Sequence, residues 1–199
     1  TEKIASVLHN AGAPTGAYSF VRGSMGDAGV SVVAGDAPGG EESYEVICAA
    51  EDADEVWMTL LSRGNGAAPF GYRTYETLTL EAGTPLFDTE IEGERPETVG
   101  LCAAVGLPET DADERLIGVR VDGEKLPTGG ATVVGDHGAV GRVTRARWSP
   151  SLSATVGFAI VETEATVEAV RTDDGRLPAE TASLPFVDGS DRSRRLPSY

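Results

Sequence analysis

Apolar and polar positions follow two grammars along this chain. Up to about residue 105, helical spacings mix with short alternations; from Arg115 onward, alternation dominates and glycine or proline punctuates it. Lys3–Asn10 places Ile4, Val7 and Leu8 on one helical face, and Gly12, Pro14 and Gly16 then break the pattern. Tyr18–Val21 and Val30–Val33 read as strands joined by a glycine-rich turn, Gly23–Gly29. In Ser43–Ala49 the alternation puts Tyr44, Val46 and Cys48 on one face, with Glu45 and Ile47 on the other. A helix follows, with Asp52 and Glu55 spaced as a capping box and an apolar stripe of Val56, Trp57, Leu60 and Leu61 that Gly64 ends. Trp57 is expected in the core.

The stretch GYRTYETLTLEAG, Gly71–Gly83, predicts another helix, with Tyr72, Tyr75, Leu78 and Thr79 on one face. Its threonines lower intrinsic helix propensity, so packing has to hold it. Gly83 and Pro85 end it. Leu107–Asp113 reads as a boundary loop. Beyond it, RLIGVRVDG, ATVVGDHGAVGRVTRARW, TVGFAIVE and ATVEAVR alternate, and Leu184–Val187 reads as a last strand. Short strands at such spacing indicate a small barrel or a sandwich. The fold class expected is α+β: an antiparallel sheet with packed helices over residues 1–105, then a small Greek-key β-barrel domain over 112–199.

Composition changes this picture in one respect. Among 199 residues, 32 are acidic and 16 basic, a formal net charge of −16. The acids are spread among periodic apolar segments, unlike the charge blocks of a disordered tail. This indicates a folded protein adapted to high salt, where screening shortens the range of self-repulsion; an ordinary acidic cytosolic protein is the alternative. Such a balance argues against nucleic acid as a partner, because phosphate binding needs clustered Lys and Arg. No apolar run approaches the roughly 18 residues that span a bilayer, and no basic, apolar signal peptide opens the chain, so a cytoplasmic location is expected. The opening at Thr1 fits processing, tag removal or a fragment.

Candidate chemistry is sparse. Cys48 and Cys102 sit in apolar settings without CxxC spacing, and with two distant histidines they argue against a zinc site. GSMGDAG lacks the Lys-Ser/Thr ending of a phosphate loop. No Ser-His-Asp or Cys-His grammar supplies a nucleophile. His9 and His137 read as a helix-end and a turn-tip residue, and Arg142, Arg145 and Arg147 as surface partners of nearby acids.

Three stretches nevertheless share one resemblance. LTLEAGTPLFDTEI resembles L-R-L-E-A-G-x-x-L-Y-G-x-D-I, GGEESYEV resembles T-G-E-D-G-Y-E-I, and GRVTRARWSPSL resembles G-x-V-T-S-x-x-x-S-P-S-L. These are motifs of the glycine-cleavage T-protein family, the folate-dependent aminomethyltransferases and their relatives. The resemblance implies transfer of a one-carbon unit to tetrahydrofolate, with a lipoyl carrier protein as partner in a T-protein proper. A folate-dependent demethylase and a non-catalytic folate-binding relative of iron–sulfur-assembly factors are the alternatives.

By the same resemblance, Glu45 occupies the place of the glutamate that binds the pterin ring. Tyr75 stands where the family has an arginine for the folate's glutamate tail, with Arg73 two residues earlier on a different helical face. Arg192, in the basic patch with Arg194 and Arg195, is the further tail contact implied. The resemblance covers the family's middle and C-terminal parts. Its catalytic aspartate belongs to the N-terminal half and has no counterpart here, so no catalytic residue is assigned, and whether this chain is itself an enzyme stays open.

Overall fold

The computed structural model describes residues 2–199, and two compact units emerge from it. The first comprises residues 1–37 and 42–72; the second comprises 38–41 and 73–199.

In the first unit, β1 (Phe20–Met25), β2 (Ala28–Ala34) and β3 (Tyr44–Cys48) form an antiparallel sheet in that order. One face carries Val30, Val32, Tyr44, Val46 and Cys48 and packs with Ile4, Val7 and Leu8 of the N-terminal segment and Val56 and Leu60 of a helix. The short helix α1 (Glu2–Ala5) stops well before Asn10, yet the expected face is kept, because Val7 and Leu8 remain buried. His9 leaves the helix to form a bridge with Ser24. The β1–β2 turn is tighter than the glycines suggest: Met25 pairs directly with Ala28, and Gly23 and Gly29 lie within strands.

Helix α2 (Ala53–Arg63) forms where expected, with two corrections. Asp52 makes no side-chain cap, and the Glu55 carboxylate instead accepts the Asp27 amide at 2.7 Å, tying the helix to the β1–β2 turn. Trp57 is 50% exposed, and Thr59 takes the buried place beside Val56. Val56, Thr59 and Leu60 follow the i, i+3, i+4 rule, and Trp57 lies on its margin.

In the second unit, six antiparallel strands close a barrel in the order β4-β7-β6-β5-β8-β9, with β9 returning to β4. They are β4 (Glu114–Val121), β5 (Thr132–Gly135), β6 (Gly138–Ser149), β7 (Ala154–Glu162), β8 (Ala169–Thr172) and β9 (Gly175–Ala182). The run β7-β6-β5, with β4 beside β7, is a Greek key. Ile117, Val119, Val133, Val143, Ala159, Val161 and Val170 fill the interior. The α+β architecture with a C-terminal barrel is thus present.

β7 is buried on both faces. Its outward residues Val156, Phe158 and Ile160 form a second core with Leu116 and with Leu80 of helix α3 (Tyr72–Glu81). The buried end of α3 is Thr79, Leu80 and Glu81; Tyr72 is exposed and Leu78 is 39% exposed, so the apolar face differs from the one expected. Packing on β7 selects the face, and a threonine and a glutamate are accommodated because both find partners. Leu184–Val187 is not a strand: the Phe186 amide donates to the Glu81 carbonyl at 2.9 Å, so this segment hugs the end of α3.

Candidate functional site

The LEAG and SPS motifs of the second unit meet in one polar knot outside the barrel wall. A bulge between Val143 and Arg145 shifts the register of β6 against β7. Val143 faces inward before it and Ala146 after it, so Arg145, Arg147 and Ser149 all face outward toward α3. Arg145 is 4% exposed, a correction to the surface role expected for it. Its Nη1 donates to the Glu76 carbonyl and to Thr79 Oγ1, each at 3.0 Å, and its Nη2 to the Thr84 carbonyl at 3.1 Å. The Nε lies 3.3 Å from Glu90 Oε1, and the guanidinium sits 5.6 Å from the Phe158 ring centre.

Glu90, on a π-helical turn at Phe87–Ile91, is 1% exposed. Its carboxylate accepts the Leu86 amide at 2.8 Å and the Thr144 hydroxyl at 3.2 Å. Burial pushes the Glu90 carboxyl above the ordinary carboxylate range, while the Arg145 charge and these hydrogen bonds pull it back. Burial likewise lowers Arg145, against the opposing pull of Glu90 and Glu76.

One turn further along α3, Glu81 accepts the Ser149 hydroxyl at 2.5 Å and the Ser151 hydroxyl at 3.1 Å. The glutamate of LEAG is therefore held by the serines of SPS. Arg147 and Arg142 pair with Glu76 at 2.6 Å and Glu94 at 2.5 Å, as the acid-pairing expectation has it.

This knot positions the expected binding residues of the second unit. Gly83, at φ +69°, turns the chain out of α3 where an added Cβ would lie 2.7 Å from Leu196 Cδ1. Thr84 Oγ1 then donates to Ser193 Oγ at 2.6 Å, and Arg195 donates to the Pro85 carbonyl at 3.2 Å. Ser193 is buried, so its exposed neighbour Arg192 is anchored beside the end of α3. The loop 38–41 joins the same place: Gly40, at φ +75°, leaves no room for a Cβ, which would fall 2.3 Å from the Ser190 carbonyl, and Gly39 approaches Leu78. Tyr75, half-buried, is one turn before Leu78 on the same side of α3, whereas Arg73, exposed, is about 200° around the helix from Tyr75. Loop 38–41, α3 and the tail segment 190–195 thus converge near Leu78, with Arg73 turned away.

In the first unit, Glu45 is exposed on β3, on the face opposite the core, with Ile47 on the same side. Its register neighbour across the sheet is Val33, followed by Phe20, which is 60% exposed. The open face therefore sets the Glu45 carboxylate beside Val33, Phe20 and Ile47, with Ser31 and the exposed Arg22 in the next register row, an arrangement that offers apolar contact to a flat ring and a carboxylate to an N–H-bearing edge. Among the described residues no group of three His, Cys, Asp or Glu side chains is arranged to hold a metal ion.

Comparison with known proteins supplies the class. Residues 114–188 match the glycine cleavage T-protein C-terminal barrel domain, and residues 30–108 match the GCVT N-terminal domain. The chain belongs to the glycine-cleavage T-protein family.

Its similarity to individual members is moderate. It is 31% identical over 189 residues to an aminomethyltransferase of Rubrobacter xylanophilus, covering 86% of this chain and 50% of that protein. With an aminomethyltransferase of Bacillus licheniformis it shares 29% identity over 169 residues, covering 74% of this chain and 46% of that one. The crystal structure of glycine cleavage system aminomethyltransferase T from Bartonella henselae superimposes with a TM-score of 0.70 at 19% identity, over 80% of this chain and 50% of that chain. Identity that low speaks for the fold alone. The chain spans about half the length of the curated relatives it matches.

Proposed function

We propose that this chain is the folate-binding part of an aminomethyltransferase that passes a one-carbon unit from an amine-bearing donor to tetrahydrofolate. The observation that carries the reading is the outward exposure of Glu45 on β3 at the family's pterin-glutamate position. A carboxylate there accepts two parallel N–H bonds from the pterin edge, a geometry that is stronger and more selective than a single neutral bond. Residues 1–105 are the folate-binding segment in this reading, and 112–199 the barrel domain. Tyr75 donates one uncharged hydrogen bond where relatives use a guanidinium, and Arg192 supplies the charge for the folate's glutamate tail. Arg73, exposed on another side of α3, reaches the folate tail in this reading only from outside the groove formed by Tyr75 and Arg192.

The contribution of these residues is orientation and charge placement rather than a covalent nucleophile. A lipoyl carrier protein is the partner proposed for delivering the donor, and a salty cytoplasm the setting. No described helix is long and apolar enough to cross a membrane. The second reading is a non-catalytic folate-binding protein related to iron–sulfur-assembly factors. Tetrahydrofolate titration of the protein in molar KCl, followed by a turnover assay with an amine donor, separates the two. Binding with turnover supports the transferase, and binding without turnover supports the second reading. No binding at millimolar folate contradicts both.

A further inference from the structure

A cavity of about 450 Å³, within the size range of small-molecule sites, lies between the segment 97–112, the start of β4 and the C-terminal residues Ser198 and Tyr199. None of the four residues proposed for folate lines it. Arg115 forms part of its wall. It lies on β4 in register with Val161, on the same side of the strand as the interior residues Ile117 and Val119, and so at the barrel mouth. Its Nε is sealed from solvent and donates to nothing, and the guanidinium forms no ion pair with any described residue. Arg142, Arg145, Arg147 and Arg176 of the barrel are paired with carboxylates, whereas Arg120 and Arg171, like Arg115, join no ion pair among the described residues; Arg115 differs from those two in lining this cavity with a buried, unbonded Nε.

Carboxylates are nevertheless present in the same cavity. Glu97 is taken by Arg95, but Glu109 and Asp111, on the exposed loop over the mouth, join no ion pair among the described residues. The Tyr199 hydroxyl, also in the wall, is already committed to Thr98 and Leu116. One cation at the wall and two anions on the loop, all unspent, define a charge pattern. A simple carboxylate meets repulsion from the loop, and a simple amine meets repulsion from Arg115. A molecule with a carboxylate at one end and ammonium groups beyond it satisfies both.

We propose that this cavity binds a free amino acid of the basic class, its carboxylate on Arg115 and its ammonium groups toward Glu109 and Asp111. The ligand's net charge of one positive unit matches the one negative unit left over by these three side chains. The site is independent of folate binding, so its test does not depend on the reading above.

The test uses L-lysine with two matched probes: cadaverine, which lacks the carboxylate, and 6-aminohexanoate, which lacks the α-ammonium. Calorimetric titration of the protein is expected to show L-lysine binding at least about tenfold more tightly than either probe. R115Q should bring L-lysine and cadaverine to equal affinity. The loop variant E109Q/D111N, whose positions are exposed and carry no structural bond, should weaken L-lysine at least about tenfold and leave the thermal midpoint unchanged. Equal binding of L-lysine and cadaverine by the unmodified protein would reduce the site to an acidic surface and overturn the proposal. So would the absence of any L-lysine binding at about ten millimolar, or an undiminished affinity in the loop variant.

Discussion

Arg145 and Glu90 are the costliest pair to leave half-made. Both are buried, and every hydrogen-bonding atom of the knot is accounted for by Thr79, Thr84, Thr144, the Glu76 carbonyl or the Leu86 amide, apart from Arg145 Nε, which relies on charge attraction to Glu90 alone. Removing one partner strands the other charge in a low-dielectric setting, at a cost of roughly 3–5 kcal/mol. R145M and E90L are each expected to lose about that much in urea unfolding, and R145M/E90L less than the sum of the two. Additive losses would show that the charges are not coupled. The knot was only partly legible in the sequence. The motifs were visible, but their meeting was not: Arg142 and Arg145 have opposite parity along one strand, and that break in alternation is the signal of the bulge that turns Arg145 into the core. Glu45, by contrast, lies on an unbroken alternation, and its outward face was readable directly.

At the scale of elements, α3 and the segment that follows residue 184 behave as one assembly. The segment was expected to begin as a strand, since Leu-Pro-Phe-Val has the composition of one. It gives its amides to Glu81 instead of a neighbouring strand, a tertiary preference that no local pattern encodes. Its far end is fixed by Tyr199, whose hydroxyl accepts the Leu116 amide at 2.8 Å and faces the carbonyls of Thr98 and Leu116, each at 2.9 Å. Tyr199 as a whole residue is 55% exposed, yet desolvation of its hydroxyl pushes the pKa from 10.0 to about 12. The folded state therefore prefers the neutral phenol. Its contribution to stability is complete below pH 10.0 and is lost as pH rises toward 12. Y199F should lower the urea midpoint at neutral pH and narrow its gap from the parent protein through that alkaline window. A gap that stays constant would show that the hydroxyl is not engaged. Helix α2 makes a related point: its capping-box spacing was legible, but Glu55 serves the β1–β2 turn, so the spacing marked the helix start without naming the bond.

For the whole molecule, the change from mixed to alternating pattern near residue 114 announced an all-β unit, a small barrel or a sandwich, because strand alternation with glycine turns has few other outcomes. Closure of the barrel and the Greek-key order were not readable from spacing, since both depend on which strands meet. The acidic composition spreads over both units and is consistent with a folded chain whose few cations are placed with purpose: Arg145 within a core, Arg115 at a barrel mouth, Arg192 beside α3. The central claim, that this family member binds folate through the open face of β3, rests on one side chain. The most direct test is tetrahydrofolate affinity of the protein and of E45A in molar KCl, with circular dichroism to confirm that both are folded. The account predicts a loss of more than about tenfold, the value of a charge-assisted bidentate contact. An affinity unchanged by the substitution would contradict it.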